Sequence, residues 1–97
     1  MSDEADRTSL RIRVEGSVQA VGYRAFVIGE ARALALDGWV RNRADGTVEI
    51  MVSGETKAVE ALVLASMRGP KGARIANVEL HPAEAPDEKG FHRRPTL

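Results

Sequence analysis

The sequence predicts an α+β sandwich, an antiparallel sheet with two helices on one of its faces. Three observations carry this. Strand-like and helix-like stretches follow the order strand, helix, strand, strand, helix, strand. The first strand candidate alternates, with Leu10, Ile12 and Val14 opposed to Arg11, Arg13 and Glu15, as in a strand that buries one face. Between the second and third candidates stands Asp45-Gly46, the strongest short hairpin signal in the chain.

Each element follows from its own residues. Residues 1–7 read as a disordered leader and 8–97 as one domain. Thr8 to Glu15 is the first strand. A glycine-bearing loop, Gly16 to Gly22, leads into a helix over Tyr23 to Leu36, where Phe26, Val27, Ala31 and Leu34 recur at helical spacing. Gly29 inside it is read as a point of close packing against the sheet. Asp37-Gly38 ends the helix, with Gly38 as a left-handed cap. Trp39 to Arg43 and Thr47 to Val52 are the hairpin strands, and Ser53-Gly54 stops the second. Glu55 to Met67 is a helix with Val59, Leu62, Val63 and Ser66 or Met67 inward. Ala73 to His81 is the fourth strand, and its alternation breaks at Ala76-Asn77, where a bulge is expected. Phe91 to Leu97 has room for a short fifth strand, which Pro95 confines to an edge. Two split βαβ units around a hairpin give the ferredoxin-like plan, which hosts unrelated functions.

Composition removes several classes. The 97 residues suffice for one core without staples. There is no cysteine, so disulfides, thiolate metal sites and cysteine nucleophiles are excluded. Formal net charge is zero, which argues against general electrostatic capture of nucleic acid. The acidic start, Met1 to Asp6, has no apolar segment of the signal-peptide kind, and no run approaches membrane-spanning length. A cytoplasmic protein with no membrane partner is the expectation, and a monomer is the simpler one.

Gly16-Ser17-Val18-Gln19-Ala20-Val21-Gly22-Tyr23-Arg24 carries the chemistry. A helix start leaves main-chain N–H groups without partners, and loop amides converging there form an anion cradle. Arg24, in the first turn, adds a planar fork matched to two phosphate oxygens. The blander reading is a plain connection with a solvated arginine. Asn42, near the end of the second strand, is a poor strand former and so needs a reason; starting the turn is one.

Two motifs settle the choice. Gly16, Val18, Gln19, Val21, Tyr23 and Arg24 match the first motif of the acylphosphatases. Gly38, Trp39, Val40, Arg41, Asn42, Gly46, Val48 and Gly54 match the second at its spacing. From about Leu10 to Leu80 the chain resembles that family. The resemblance implies hydrolysis of the carboxyl–phosphate anhydride of a small-molecule acyl phosphate. It implies Arg24 and the amides of Gln19, Ala20, Val21, Gly22 and Tyr23 on the phosphate, Asn42 on the attacking water, and no metal or cofactor. Ala20 stands where the family usually has glycine, and Tyr23 where it usually has phenylalanine.

Two other readings are weaker. A binding module for phosphate or carbamoyl phosphate, without turnover, is favoured only by Ala20. An RNA-binding sandwich would interleave aromatics with basic residues on its central strands, and this chain does not. Arg68, Lys71 and Arg74 read as a solvated cluster whose one functional use is long-range attraction of an anion.

Overall fold

The computed structural model describes residues 6–97, so the expected leader lies outside the described residues up to Ala5. β1 spans Arg7–Ser17 and already pairs Arg7 with Glu55, inside what the sequence assigns to the leader. Then come α1 (Tyr23–Ala33), β2 (Asp37–Asn42), β3 (Val48–Glu55), α2 (Thr56–Arg68), β4 (Arg74–Pro82) and β5 (Phe91–Arg93). The sheet order is β4-β1-β3-β2-β5. The four long strands pair antiparallel, as expected, but β5 runs parallel to β2, so the sheet is mixed. The cause is topological. β4 ends at the end of the sheet where β2 begins. The segment between β4 and β5 crosses to the far edge there and starts β5 in the direction of β2. Two bonds fasten that crossing: Gly90 N–H donates to Asp37 Oδ1 (2.7 Å) and Gly38 N–H to the Gly90 carbonyl (2.9 Å).

The core lies between the sheet and both helices. Ile12, Val14, Val40, Val48, Ile50 and Val52 come from the strands, Val27 and Ala31 from α1, Val59 and Leu62 from α2, and Phe91 from β5; all are fully or almost fully buried. Ser66 is buried and Met67 exposed, which resolves the open choice at the end of α2. Gly29 faces solvent with open space around it and makes no close approach to the sheet, so that expectation is wrong.

The end of α1 also differs from expectation. Ala35 carries the left-handed conformation (φ 57°). Its N–H bonds the Arg32 carbonyl and the Leu36 N–H bonds that of Ala31, which closes the helix. Gly38 is already inside β2, opposite Val52. Its glycine serves close approach rather than capping, because a methyl group there would fall far inside van der Waals distance of the Met51 carbonyl oxygen. Likewise β3 runs through Ser53 and Gly54 to Glu55 instead of stopping there.

The expected bulge is present. Glu15 pairs with Asn77 and Gly16 with Ile75, so Ala76 is the extra residue. The opposite face of the sheet, which carries no helix, is covered by ion pairs. Glu49, nearly buried, meets Arg41 (2.7 Å), Arg43 (3.3 Å) and Arg11 (3.5 Å), while Arg13 meets Glu15, Glu79 and Asp45. Trp39 lies under the guanidinium groups of Arg41 (4.6 Å) and Arg94 (5.2 Å). No helix of the described residues is long and apolar enough to cross a membrane.

Candidate active site

The sheet register brings the two motifs to one end of the molecule. Val14 stands opposite Val48, and Val48 opposite Asn42, so Asn42 shares a row with the last residues before the loop. Val40 is in the core, and Asn42, two residues on, points to the same helix-bearing face. The Asn42 carbonyl oxygen Oδ1 is buried and has no hydrogen-bond partner among the described residues. A buried acceptor left unmatched costs free energy, which singles Asn42 out from the other polar side chains of the strand ends.

The loop presents donors. Gly22 is the N-cap of α1 (φ 76°, ψ 16°), and no side chain caps the helix. Among the described residues, none of the main-chain N–H groups from Gln19 through Ala25 donates a hydrogen bond within the protein; the first to do so is Phe26, to the Gly22 carbonyl (3.0 Å). Arg24, half-buried, stands in this first turn with no carboxylate in ion-pair range among the described residues. A run of free amides, a helix start and an unpaired guanidinium in one turn are the elements of an oxyanion cradle. Val21 packs against the core, and the Tyr23 ring turns inward. The Tyr23 hydroxyl donates to the Ser66 carbonyl (2.7 Å), and burial pushes its pKa well above the ordinary phenol value. Only the Tyr23 amide therefore faces the loop's concavity, which is the part assigned to phosphate.

The side chain of Gln19 has a further job, absent from the sequence-based assignment. Its Nε2 donates to the carbonyls of Arg43 and Thr47, both at 2.9 Å, and ties the loop to the hairpin that carries Asn42. The hairpin is braced in turn: Asp45 Oδ1 accepts from the Thr47 hydroxyl (2.6 Å) and the Thr47 N–H (3.0 Å). These bonds, with Arg13 adding to them, lower the Asp45 pKa to about 2, so the brace keeps its charge through the range where ordinary carboxylates protonate. The available signal for the Gln19 brace was a long amide side chain in a loop otherwise made of small and apolar residues.

Ala20 has φ 63°, in the left-handed region, where a Cβ costs about 1–2 kcal/mol. Replacing it with glycine relieves that strain and adds some unfolded-state freedom. Ala20→Gly is therefore expected to raise stability by about 1 kcal/mol and to leave phosphate affinity equal or improved. Denaturant unfolding and phosphate titration check this, and a clear loss of affinity would show that the loop is tuned around alanine. Among the described residues no cluster of three or more His, Asp or Glu side chains stands ready for a metal ion.

Comparison with known proteins identifies the family and the fold. The family model described as Acylphosphatase matches residues 10–93. An acylphosphatase of Rhodospirillum rubrum is 46% identical over 89 residues, covering 92% of this chain and 98% of that one. Another, of Acidovorax, is 43% identical over 97 residues and covers both chains completely. The solved structure of an acylphosphatase from Coxiella burnetii superposes with a TM-score of 0.89 at 32% identity, over 97% of this chain and 99% of that one. With the family model spanning nearly the whole sheet and both helices, this chain belongs to the acylphosphatase family.

Proposed function

We propose that the enzyme hydrolyses acyl phosphates by direct in-line attack of water, with Arg24 and Asn42 as its two catalytic side chains. The observation that supports this most is the buried, unpartnered Oδ1 of Asn42 at the end of the sheet that also holds the free amides of Gln19 through Ala25. The dianionic phosphoryl group sits in the cradle, its oxygens accepting hydrogen bonds from the loop amides and from the Arg24 guanidinium. A water molecule donates to Asn42 Oδ1, which turns a lone pair of the water oxygen toward phosphorus. The water oxygen bonds to phosphorus as the bond to the carboxylate oxygen breaks. The water proton passes to a phosphate oxygen, and the carboxylate leaves with the bonding pair. A carboxylate is a good leaving group, so positioning and charge stabilisation suffice and no strong protein base is needed.

This reading takes the enzyme as a cytoplasmic monomer acting on a diffusing small molecule. Zero formal net charge supports only the choice of a small molecule over nucleic acid, since it gives no general pull toward a polyanion. The test is hydrolysis of benzoyl phosphate by the purified protein in the presence of a chelator, followed by loss of ultraviolet absorbance. Turnover well above the spontaneous rate is expected. Phosphate binding without turnover would transfer the site to a non-catalytic binding module.

A further inference from the structure

Asn42 stands where a strand is least constrained. β2 ends with it, and β5 accompanies β2 only from Gly38 to Val40. Beyond that point the outer side of β2 is held at Asn42 by a bond from the Leu97 N–H to the Asn42 carbonyl (3.2 Å). Strand ends open at lower free energy than strand centres. The side-chain oxygen of Asn42 has no partner among the described residues, so its aim follows the main chain that carries it.

That main chain is gripped from the other side of the sheet. Arg41 and Arg43, the neighbours of Asn42 in the chain, both send their guanidinium groups to the helix-free face. One nearly buried oxygen takes both there. Glu49 Oε1 accepts from Arg41 Nε at 2.7 Å and from Arg43 Nη1 at 3.3 Å, while Glu49 Oε2 accepts from Arg11 Nη1 at 3.5 Å. Glu49 lies opposite Arg41 in the ladder, on the central strand β3. Charge-assisted bonds to a carboxylate shielded from water are stronger than those between neutral groups. Arg43 is also where the two motif segments join. Its N–H donates to the Thr47 carbonyl (2.8 Å), and its carbonyl accepts from Gln19 Nε2 (2.9 Å). Among the described residues, Glu49 is the one carboxylate that meets both arginines.

We propose that Glu49 is a positioning residue for the reaction. From the helix-free face it fixes residues 41–43, and through them it aims the Asn42 amide at the attacking water on the other face. The proposal rests on the hydrolytic reading above and adds to it a residue that both motifs leave unspecified. Glu49 touches no substrate in this scheme. Its loss therefore slows the chemical step without weakening phosphate binding. Misplacement of a catalytic group by about 1 Å can cost a rate factor of about a hundred. A strand end that is loosened but still paired is expected to lose about tenfold.

Glu49→Gln keeps the size of the side chain and removes its charge. The kcat for benzoyl phosphate is expected to fall about tenfold, with competitive inhibition by inorganic phosphate unchanged within about twofold. On an Asn42→Ala background the same substitution is expected to cost no further kcat, because effects that act through one group do not add. Glu79→Gln is the control. It removes a carboxylate of the same face that meets Arg13 and His81 but neither hairpin arginine, and is expected to keep wild-type kcat. The side-chain amide NMR signal of Asn42, recorded with saturating inorganic phosphate, requires no catalysis. It is expected to shift in Glu49→Gln and to stay in place in Glu79→Gln. Wild-type kcat in Glu49→Gln, an equal loss in Glu79→Gln, a further loss beyond Asn42→Ala, or an unmoved Asn42 signal would each overturn the proposal. Should Glu49→Gln not fold, Arg43→Gln removes one arm at a part-exposed side chain, and the same pattern is expected at about threefold; its absence there overturns the proposal too. If the wild type does not hydrolyse benzoyl phosphate, the hydrolytic reading fails, and a shifted Asn42 signal in Glu49→Gln leaves the hold of Glu49 on Asn42 standing.

Discussion

Arg24→Ala is expected to lower kcat/KM for benzoyl phosphate by about a thousandfold, a loss of roughly 4 kcal/mol of transition-state stabilisation. The guanidinium has no carboxylate partner to fall back on among the described residues, so its charge is available to the phosphoryl group alone. Removing it also weakens competitive inhibition by inorganic phosphate, because ground state and product share the contact. Arg24→Lys restores little, since an ammonium cannot bridge two oxygens in a fixed plane. Asn42→Ala gives a different signature. It is expected to reduce kcat by about a hundredfold with phosphate inhibition unchanged, because its oxygen holds water rather than phosphate. Steady-state kinetics, with circular dichroism to verify folding, distinguish the two. Equal losses of phosphate affinity in both variants would contradict the division of roles.

Gly38→Ala is expected to unfold the protein or cost at least about 4 kcal/mol, near the upper end of single-residue effects. Gly38 has φ 141°, a conformation that side chains oppose. An added methyl group would drive into the Met51 carbonyl and crowd the Val52 Cα, neither of which can rotate aside. The strand would have to leave β3, and it is the strand that ends in Asn42. Thermal unfolding followed by circular dichroism measures the loss. A variant that melts within a few degrees of wild type would show that β2 has another way to pack.

The sequence and the structure agree where local pattern and tertiary packing ask for the same thing. Leu10, Ile12 and Val14 announced a half-buried strand because alternation is what such a strand requires, and Ala76-Asn77 announced a bulge because alternation failed there. The two motif segments were legible for a similar reason. Both fall at strand ends, where the residues needed for chemistry are poor choices for regular structure. What was not legible depended on partners distant in the chain. The Gln19 brace needs two carbonyls from a hairpin more than twenty residues away. Gly38 reads as a helix cap from its neighbours alone, and only the packing of β2 on Met51 shows why it must be glycine. Ala35 takes the cap conformation although alanine disfavours it, since the chain must reverse there to start β2. The direction of β5 followed from where β4 ends, which three residues of strand sequence do not encode.

The bulge at Ala76 has a consequence for how molecules of this enzyme meet one another in a crowded solution. β4 is an outer strand, and its free side is a template on which another chain could extend the sheet. Ala76 interrupts that template, leaving Arg74-Ile75 on one side and Asn77 to His81 on the other, and Pro82 closes it without a donor. A strand that docked on one portion would be out of step on the next. The same extra residue that shifts the register beside Gly16 thus discourages edge-to-edge polymerisation, and keeps a concentrated solution of the enzyme from seeding fibres along this side.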